Sequence, residues 1–230
     1  MLKKLLLSII IFISIYQVSI IYDSERKKTY KHSFPNLNEQ NYNNLLFVQV
    51  WPGSWLHKYE INYNFTNDYF TIHGIWPENY DGSYPQYCNK TIHFNYNKIK
   101  YIENNLTKYW TDFKNPKRFL RHEFDKHFTC IESNNIYEYF WLGLKKRTEL
   151  DIYNILKKNN VIPNNNIKYD INNIKKILYS ILLYEPIITC KNNILTEIIF
   201  CSDNNLNLID CPKPQRKMEC RDEKIWYNII

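Results

Sequence analysis

Hydrophobic and polar positions divide the chain into an apolar N-terminal run, a polar stretch and a longer region of mixed periodicity. Lys3 and Lys4 precede an apolar run at residues 5–15, which is the order of the basic and apolar regions in a secretory signal. We therefore predict a signal peptide over residues 1–22 and a polar spacer over residues 23–44. The alternative is an uncleaved signal anchor, because the apolar run approaches the length that spans a bilayer.

Short apolar runs and helical periodicity alternate from residue 45 to residue 222, and residues 223–230 are predicted to be a C-terminal tail. The patterns predict strands at 45–51, 69–73 and 196–201, and helices at 136–144, 151–158 and 170–183. In the last of these helices, Asp170 can cap the first turn, and isoleucine and leucine residues lie on one face. The elements do not alternate as βαβ units, so we predict an α+β fold.

Length and composition narrow the class of protein. The 230 residues fit one domain or at most two. A charged fraction of 23% and an aromatic fraction of 17% exclude a disordered or collagen-like chain. The formal net charge of +7 gives nucleic acids and other polyanions only a slight preference as partners.

Six cysteines and three glycosylation sequons indicate an oxidising compartment. The cysteine count is even and every cysteine follows the predicted signal, so we expect disulfides, for which fifteen pairings are possible. Wide spacings without a C-x-x-C pair argue against a cysteine metal site. The sequons at Asn64, Asn89 and Asn105 predict glycosylation. We therefore expect a secreted protein, or a lumenal one in the secretory or lysosome-like route, without stable membrane association once the signal is removed.

Three of the six histidines lie in segments whose neighbouring residues suggest a catalytic site. His73 lies in the sequence TIHGIWP, and His122 and His127 enclose Glu123 and Lys126. One interpretation is a metal-dependent hydrolase that binds its metal through His122, Glu123 and His127. On a helix, a spacing of five turns two histidines about 140° apart, whereas the zinc-protease spacing of four turns them about 40° apart. The spacing therefore disfavours joint metal ligation.

Acid–base chemistry on an RNA phosphodiester explains the same residues better. RNA carries its own nucleophile, the 2′-hydroxyl, so cleavage needs a base, an acid for the departing 5′-oxygen and a cation for the charged phosphorane. Histidine suits both proton-transfer roles because its pKa lies near 6.5. One histidine must be neutral while the other is charged, which predicts a bell-shaped pH dependence. Lys126 and a protonated third histidine would supply positive charge, and no metal is needed.

Two segments carry a resemblance to a known family. The sequences TIHGIWP at residues 71–77 and HEFDKHFTC at residues 122–130 resemble the active-site segments of the ribonuclease T2 family. Members of this family are secreted, largely base-non-specific and often acid-active ribonucleases. The sequence FVQVWP at residues 47–52 is similar to the family's first strand. The resemblance implies a single disulfide-stapled α+β domain at residues 45–222, with helices packed on an antiparallel sheet.

The resemblance also implies a reaction. A cofactor-free and metal-free endoribonuclease would cleave single-stranded RNA by transesterification to a 2′,3′-cyclic phosphate, and would then form a 3′-phosphate end. DNA lacks the 2′-hydroxyl and would not be a partner. Nothing in this scheme requires more than a monomer.

By the same resemblance, five residues take catalytic roles. His127 would be the general base on the 2′-hydroxyl, and His73 the general acid for the 5′-oxygen, with exchanged roles in the hydrolytic step. His122 would bind the phosphate. Glu123 and Lys126 would polarise the phosphate and stabilise the transition state.

Five further residues are assigned to base binding. Trp76 and Tyr84 would stack on a base, since aromatic faces accept any base. Glu78 stands where many family members have aspartate, and would hydrogen-bond the base. Gln49 and Phe119 resemble positions of a second base site. For each aromatic ring, the alternative is packing in the core.

The resemblance further implies which cysteines are paired. The implied pairs are Cys88–Cys130, Cys190–Cys220 and Cys201–Cys211. Many members have another disulfide just after the first Trp-Pro, but this chain has none there, and Leu56 falls near the position of its first cysteine.

Phe128 stands directly after His127, where glycine is usual in the family. If this position needs a positive φ, phenylalanine would be strained, and its ring would shift His127 or narrow the cleft. The alternative function is therefore a catalytically weak or inactive secreted RNA-binding glycoprotein on the same fold. Leu120 and Phe124 stand where tryptophan is usual, and we expect these changes to alter packing.

Overall fold

The computed structural model describes residues 42–58, 60, 65–66, 68–131 and 135–229. The predicted signal peptide, residues 23–41 of the predicted spacer and the sequon at Asn64 lie outside the described residues. All described residues belong to one compact unit. None of the described helices is long and apolar enough to cross a bilayer.

A single sheet contains the seven strands of the described residues. They are β1 (Asn44–Val50), β2 (Thr71–Glu78), β3 (Lys168–Asp170), β4 (Ile187–Lys191), β5 (Ile194–Ser202), β6 (Leu208–Ile209) and β7 (Lys224–Trp226). The strand order is β2-β1-β5-β7-β3, and β4 and β6 also pair with β5. Every pairing is antiparallel except that of β5 with β7, so the predicted antiparallel sheet is confirmed with one parallel exception.

Six α-helices lie in the same described ranges. They are α1 (Pro52–Lys58), α2 (Glu103–Tyr109), α3 (Pro116–Lys126), α4 (Ile136–Glu149), α5 (Ile152–Lys158) and α6 (Ile171–Leu182). Asp170 caps α6 as predicted, because its side chain accepts a hydrogen bond from the backbone N–H of Asn173 at 3.1 Å. The α+β fold predicted from the sequence is confirmed.

Strand β1 is the buried centre of the domain, with all seven residues buried. Successive side chains of a strand point to opposite faces. Leu45 and Phe47 therefore enter the main core, while Leu46 and Val48 enter a smaller cluster on the other face of the sheet. Because both faces of β1 are covered, the strand gives a rigid support for its neighbour β2, which carries the candidate site.

Three disulfides join distant parts of the chain, and all three implied pairs are confirmed. They are Cys88–Cys130, Cys190–Cys220 and Cys201–Cys211. The first joins the loop after β2 to the turn after α3, and so links the two segments that carry the histidines. The other two join β4 and β5 to the C-terminal part of the chain.

Part of the segment 223–230, which the sequence predicts to be a tail, contributes to the sheet and the core. Lys224–Trp226 form β7, which pairs with β3 and β5. Tyr227 is fully buried, and its ring meets that of Trp51 edge-on at 4.5 Å. The folded domain therefore extends past residue 222, because this last aromatic ring completes the packing around Trp51.

Candidate active site

His73 lies at a β-bulge in β2. Val48 and Gln49 are neighbours in β1, yet their partners in β2 are Gly74 and Ile72, so His73 is an extra residue between two ladder positions. A bulge bends its strand and changes the direction of the side chain at that point. Because of this bulge, the His73 side chain does not follow the regular alternation of side chains between the two faces of the strand.

Two buried aromatic side chains hold the backbone of β2 at this bulge and just after it. The indole N–H of Trp110 donates to the carbonyl of His73 at 2.9 Å. The hydroxyl of Tyr139 donates to the carbonyl of Ile75 at 3.3 Å. These bonds fix the strand that presents His73.

Helix α3 presents the second group of site residues. Phe119, His122, Glu123 and Lys126 are spaced as i, i+3, i+4 and i+7, which places them on one side of a helix. His127 is the C-terminal cap of α3, and its backbone N–H donates to the carbonyl of Glu123 at 3.0 Å. The helix therefore ends at the residue that completes the group.

Glu123 is the buried centre of the site, with a side chain only 1% exposed. The indole N–H of Trp76 donates to its Oε2 at 3.1 Å. Nε2 of His73 lies 3.9 Å from Oε1, and Nε2 of His127 lies 3.9 Å from Oε2. Gly74 makes room for this arrangement, because a Cβ there would overlap with both Glu123 Oε2 and the Trp76 indole. One carboxylate therefore lies between two histidines from different elements.

Aromatic rings enclose the two histidines. Trp76 stacks on His127, with ring centroids 5.3 Å apart, and meets His73 edge-on at 4.8 Å. Phe119 stacks on His73 at 5.7 Å. Trp55 of α1 meets His73 edge-on at 5.6 Å. Both histidine rings are thus oriented by packing.

Carboxylates face both ring nitrogens of His73. Nδ1 lies 2.7 Å from Oε1 of Glu197 on β5, and Nε2 faces Glu123. Burial would lower the pKa of His73, but the hydrogen bond to Glu197 and the charges of Glu123 and Glu197 outweigh burial. They also outweigh the opposing charge of Lys126, so the pKa of His73 is raised and the charged ring is favoured.

His127 has the opposite shift. Its side chain is 5% exposed, and its Nδ1 has no hydrogen-bond partner among the residues that the structure describes. Burial, followed by the charges of Lys126, His73 and His122, lowers the pKa of His127 to about 2. The ring is therefore neutral in the free protein and able to accept a proton.

His122 and Lys126 lie one turn apart on α3, and Lys126 adds positive charge to this side of the site. Desolvation, and then the charges of Lys126 and His73, lower the pKa of His122, while Asp125 opposes the change. Burial raises the pKa of Glu123, although the charge of His73 opposes the rise. The site thus combines a favoured imidazolium, a neutral imidazole, a lysine and a buried carboxyl group.

Three residues predicted to bind bases lie apart from this cluster. Glu78 is buried at the end of β2. Burial raises its pKa to about 7, although a hydrogen bond with Gln215 acts to lower it. Tyr84 lies in the loop after β2 and is 53% exposed. Gln49 is 1% exposed, and its amide donates to the carbonyl of Leu150 at 3.0 Å. The structure therefore places the Gln49 side chain inside the domain, where it supports a backbone segment.

Two site residues, Glu197 and Trp55, were not predicted from the sequence. Glu197 is the single charged residue within the apolar run of β5, and an isolated charge in a buried strand was the available signal. Trp55 follows the Trp-Pro segment on a short helix, and one aromatic residue among so many carries no signal of its own. Neither could be paired with His73, because residues far apart in the sequence meet only in the fold.

Ligand-type side chains of the site do not converge on one point. Within the described parts of the chain, only Cys190, Cys220 and Asp222 bring three such donor atoms within 4.8 Å of one another. The two cysteines of that group are joined in a disulfide. The geometry therefore gives no support to a hydrolase that holds its metal through His122, Glu123 and His127.

Comparisons with known proteins identify the family of this chain. The model of the ribonuclease T2 family matches residues 42–211. Ribonuclease DdI of Dictyostelium discoideum is 36% identical over 175 residues, covering 74% of this chain and 78% of that protein. Extracellular ribonuclease LE of Solanum lycopersicum is 32% identical over 182 residues, covering 72% and 79%. The structure of RNase NT in complex with 5′-AMP matches with a TM-score of 0.70 and 26% identity, covering 82% and 99%. This chain belongs to the ribonuclease T2 family.

Proposed function

We propose that this ribonuclease T2-type endoribonuclease cleaves single-stranded RNA by metal-independent transesterification, through a 2′,3′-cyclic phosphate to 3′-phosphate ends. The observation that carries the proposal is the placement of two histidines on either side of one buried carboxyl group, in surroundings that shift their pKa values in opposite directions. Groups whose surroundings push their pKa values apart are suited to opposite proton-transfer roles. The favoured charge on His73 supports the acid role, and the neutral ring of His127 supports the base role.

In the first step, His127 takes the proton of the 2′-hydroxyl while the 2′-oxygen bonds to phosphorus. His73 gives its proton to the 5′-oxygen as the bond between phosphorus and that oxygen breaks. Burial, and then neighbouring positive charges, lower the pKa of His127, and the negative charge of the phosphate opposes this shift and makes the ring a better base. Lys126 and His122 stabilise the charge of the phosphorane, and Glu123 holds both histidines in place.

In the second step the two histidines exchange roles. Neutral His73 takes a proton from water as the water oxygen bonds to phosphorus. His127 returns its proton to the 2′-oxygen as the cyclic ester opens. Both rings end in the protonation states in which they began, so no cofactor is consumed.

Aromatic rings beside the histidines are the proposed contacts for bases. RNase NT binds 5′-AMP in its solved structure. In this chain, Trp76 and Phe119 flank the histidines, and stacking on aromatic rings tolerates every base. Glu78 and Tyr84 are proposed as further base contacts. With a pKa of about 7, Glu78 can donate a hydrogen bond at acidic pH and only accept one at alkaline pH.

We also propose that the protein is a secreted or lumenal glycoprotein that acts as a monomer, with a signal peptide at residues 1–22. The relative named extracellular ribonuclease LE and the three disulfides support an oxidising compartment. Asn89 and Asn105 are both exposed, so a glycan at either residue meets no packing obstacle in the described surface.

Phe128, the residue that motivates the inactive alternative, lies in the core. Its φ is not positive, and it begins the 3-10 turn Phe128–Cys130. The ring is 1% exposed, stacks on Phe124 at 4.7 Å and meets Tyr139 edge-on at 5.1 Å. The ring therefore points away from the solvent side of His127, and the expected strain is absent. No observation in the described residues favours the inactive alternative over cleavage.

Phe128→Gly is expected to lower the free energy of unfolding by about 3–5 kcal/mol, because it removes a buried ring and leaves a cavity. It is not expected to increase RNA cleavage. Urea denaturation and a cleavage assay at a temperature where the variant is folded measure the two effects. Phe128→Leu is the matched control and retains most of the buried volume. Faster cleavage by the glycine variant without loss of stability would mean that the ring obstructs the site.

The activity itself is tested on RNA in EDTA from about pH 4 to pH 8. The base must be neutral, so turnover rises as pH rises through the pKa of His127 in the complex. The acid must be charged, so turnover falls as pH rises through the pKa of His73. Because the first pKa is lowered and the second raised, we expect a broad maximum that includes acidic pH.

The readouts are the chemistry of the new RNA ends and the state of a DNA strand of the same sequence. Cyclic phosphate ends, insensitivity to EDTA and intact DNA are the expected result. RNA that is bound but not cut by the folded, disulfide-bonded protein would instead favour the binding-protein alternative. Loss of cleavage on chelation would restore the metal-hydrolase alternative.

A further inference from the structure

The contact between His73 and Glu197 joins the site to a strand that none of the predicted catalytic residues occupies. Glu197 Oε1 lies 2.7 Å from His73 Nδ1, across a sequence separation of 124 residues. Both side chains are 20% exposed, so the pair lies at the border of the core rather than in open solvent. The other nitrogen of the ring, Nε2, is left on the side of Glu123.

We propose that Glu197 is a positioning residue for the general acid His73. Its carboxylate accepts the hydrogen bond of Nδ1–H, fixes the tautomer of the ring, and stabilises the charged ring whose Nε2 proton goes to the 5′-oxygen. This inference rests on the acid role proposed for His73 above. Orientation of a catalytic imidazole by a carboxylate on its other nitrogen is a general device in acid–base catalysis.

The sheet fixes the position of Glu197. In β5, Glu197 pairs with Val50 of β1 on one side and with Thr189 of β4 on the other. The hydroxyl of Thr189 lies 3.4 Å from Oε2 of Glu197 and 2.7 Å from the hydroxyl of Thr196. Strand β1 separates β5 from β2, so the side chains of Glu197 and His73 meet across the end of β1. A carboxylate on a strand paired at both edges is held firmly.

The charges around His73 come from three elements. Glu197 lies on β5, and Glu123 and Lys126 lie on α3; His127 at the end of α3 and His122 within it also interact electrostatically with the ring. Glu123 is the weaker support for a charged His73, because its Oε1 is 3.9 Å from Nε2 and burial raises its own pKa. Glu197 is the closer carboxylate and makes the hydrogen bond.

The proton on Nδ1 stays in place throughout the reaction. When His73 gives the Nε2 proton to the 5′-oxygen, the ring becomes neutral and still donates Nδ1–H to Glu197. In the hydrolytic step, the free Nε2 takes a proton from water and the charged ring returns. Glu197 therefore never exchanges a proton, and its effect is on the orientation and the charge of the ring.

The test is the pH profile of Glu197→Gln. The amide oxygen can still accept from Nδ1–H, but the negative charge is gone, so the pKa of His73 falls. We expect kcat/KM at about pH 5 within about threefold of wild type, and about a tenfold loss at about pH 7, because the alkaline limb moves to lower pH. The KM for RNA is expected to be nearly unchanged. Glu149→Gln, which removes an exposed carboxylate on α4, is the charge control and should leave the profile unshifted.

A second experiment measures the pKa of the His73 ring in the absence of RNA. Titration of the His73 imidazole by NMR should give a lower pKa in Glu197→Gln than in wild type, and Glu197→Asp, which keeps the charge, should recover part of the difference. The aspartate variant and the titration keep the test decisive if the glutamine variant folds poorly. An unshifted alkaline limb, or a uniform loss at every pH, would overturn the role of Glu197. If His73→Ala also cleaves normally, the failure lies in the proposed function instead.

Discussion

His127→Ala lowers kcat for RNA cleavage by about 10³-fold, and His73→Ala lowers it by a similar factor. His127 removes the proton of the nucleophile and His73 protonates the leaving group, and a positioned proton-transfer group contributes about 10²–10⁴-fold to turnover. The pH profiles of the two variants distinguish the role of the base from that of the acid. Loss of His73 should remove the alkaline limb, while loss of His127 should remove the acidic limb. Single-turnover cleavage of a short RNA across pH measures both effects.

His93→Ala is the matched control for these variants, because His93 is an exposed histidine outside the group around Glu123. Its turnover should equal that of wild type. Circular dichroism and thermal unfolding should show that all three alanine variants keep the fold. If either site variant retains turnover within about threefold of wild type, the assignment of that histidine is wrong.

Gly74→Ala is expected to lower kcat by about 10²-fold, the loss that a misplacement of about 1 Å in a catalytic site can cause. The added methyl group would overlap with Glu123 Oε2 and with the indole of Trp76, so the hydrogen bond between these groups must break. Glu123 then loses the position from which it faces both histidines. Overpacking of this kind also costs about 1–3 kcal/mol of the free energy of unfolding. Cleavage rates and urea denaturation of the same preparation measure both effects.

Trp76→Phe separates the causes of that loss. Phenylalanine keeps a ring for stacking on His127 but has no N–H to donate to Glu123. A loss in Trp76→Phe close to that in Gly74→Ala would mean that the hydrogen bond is the important element. If Gly74→Ala cleaves RNA at the wild-type rate, Glu123 does not need the position that the structure gives it.

The elements that the sequence predicts well are those whose pattern is local. Helix α6 has an apolar face that indicates the helix, and Asp170, directly before its first residue, marks its start. The strand predicted at 69–73 overlaps β2 only at residues 71–73, and β2 continues to Glu78. Gly74 and Pro77 are poor strand residues, and only the pairing with β1 along the full length keeps the chain extended through them.

The candidate site also has a part that local sequence predicts and a part that it does not. His122, Glu123, Lys126 and His127 are close in sequence, and their spacing places three of them on one side of α3 with the fourth at its end. The partner of His73, by contrast, is supplied by a strand near the other end of the chain. A pairing of that kind depends on strand order and register, which no local pattern contains. The expected strain at Phe128 was wrong for a related reason, since the direction of its ring depends on the tertiary packing around it.

Strand β5 is synthesised late, yet it pairs with β1 and supplies Glu197, so the site cannot assemble early in synthesis. All the proposed proton-transfer histidines leave the ribosome well before β5 does, because domains are made from the N-terminus. Until residues 194–202 emerge, β1 lacks one of its two neighbours and His73 lacks Glu197. The nascent chain therefore leaves the ribosome with its histidines in an unassembled form. The complete site forms only when translation is nearly finished.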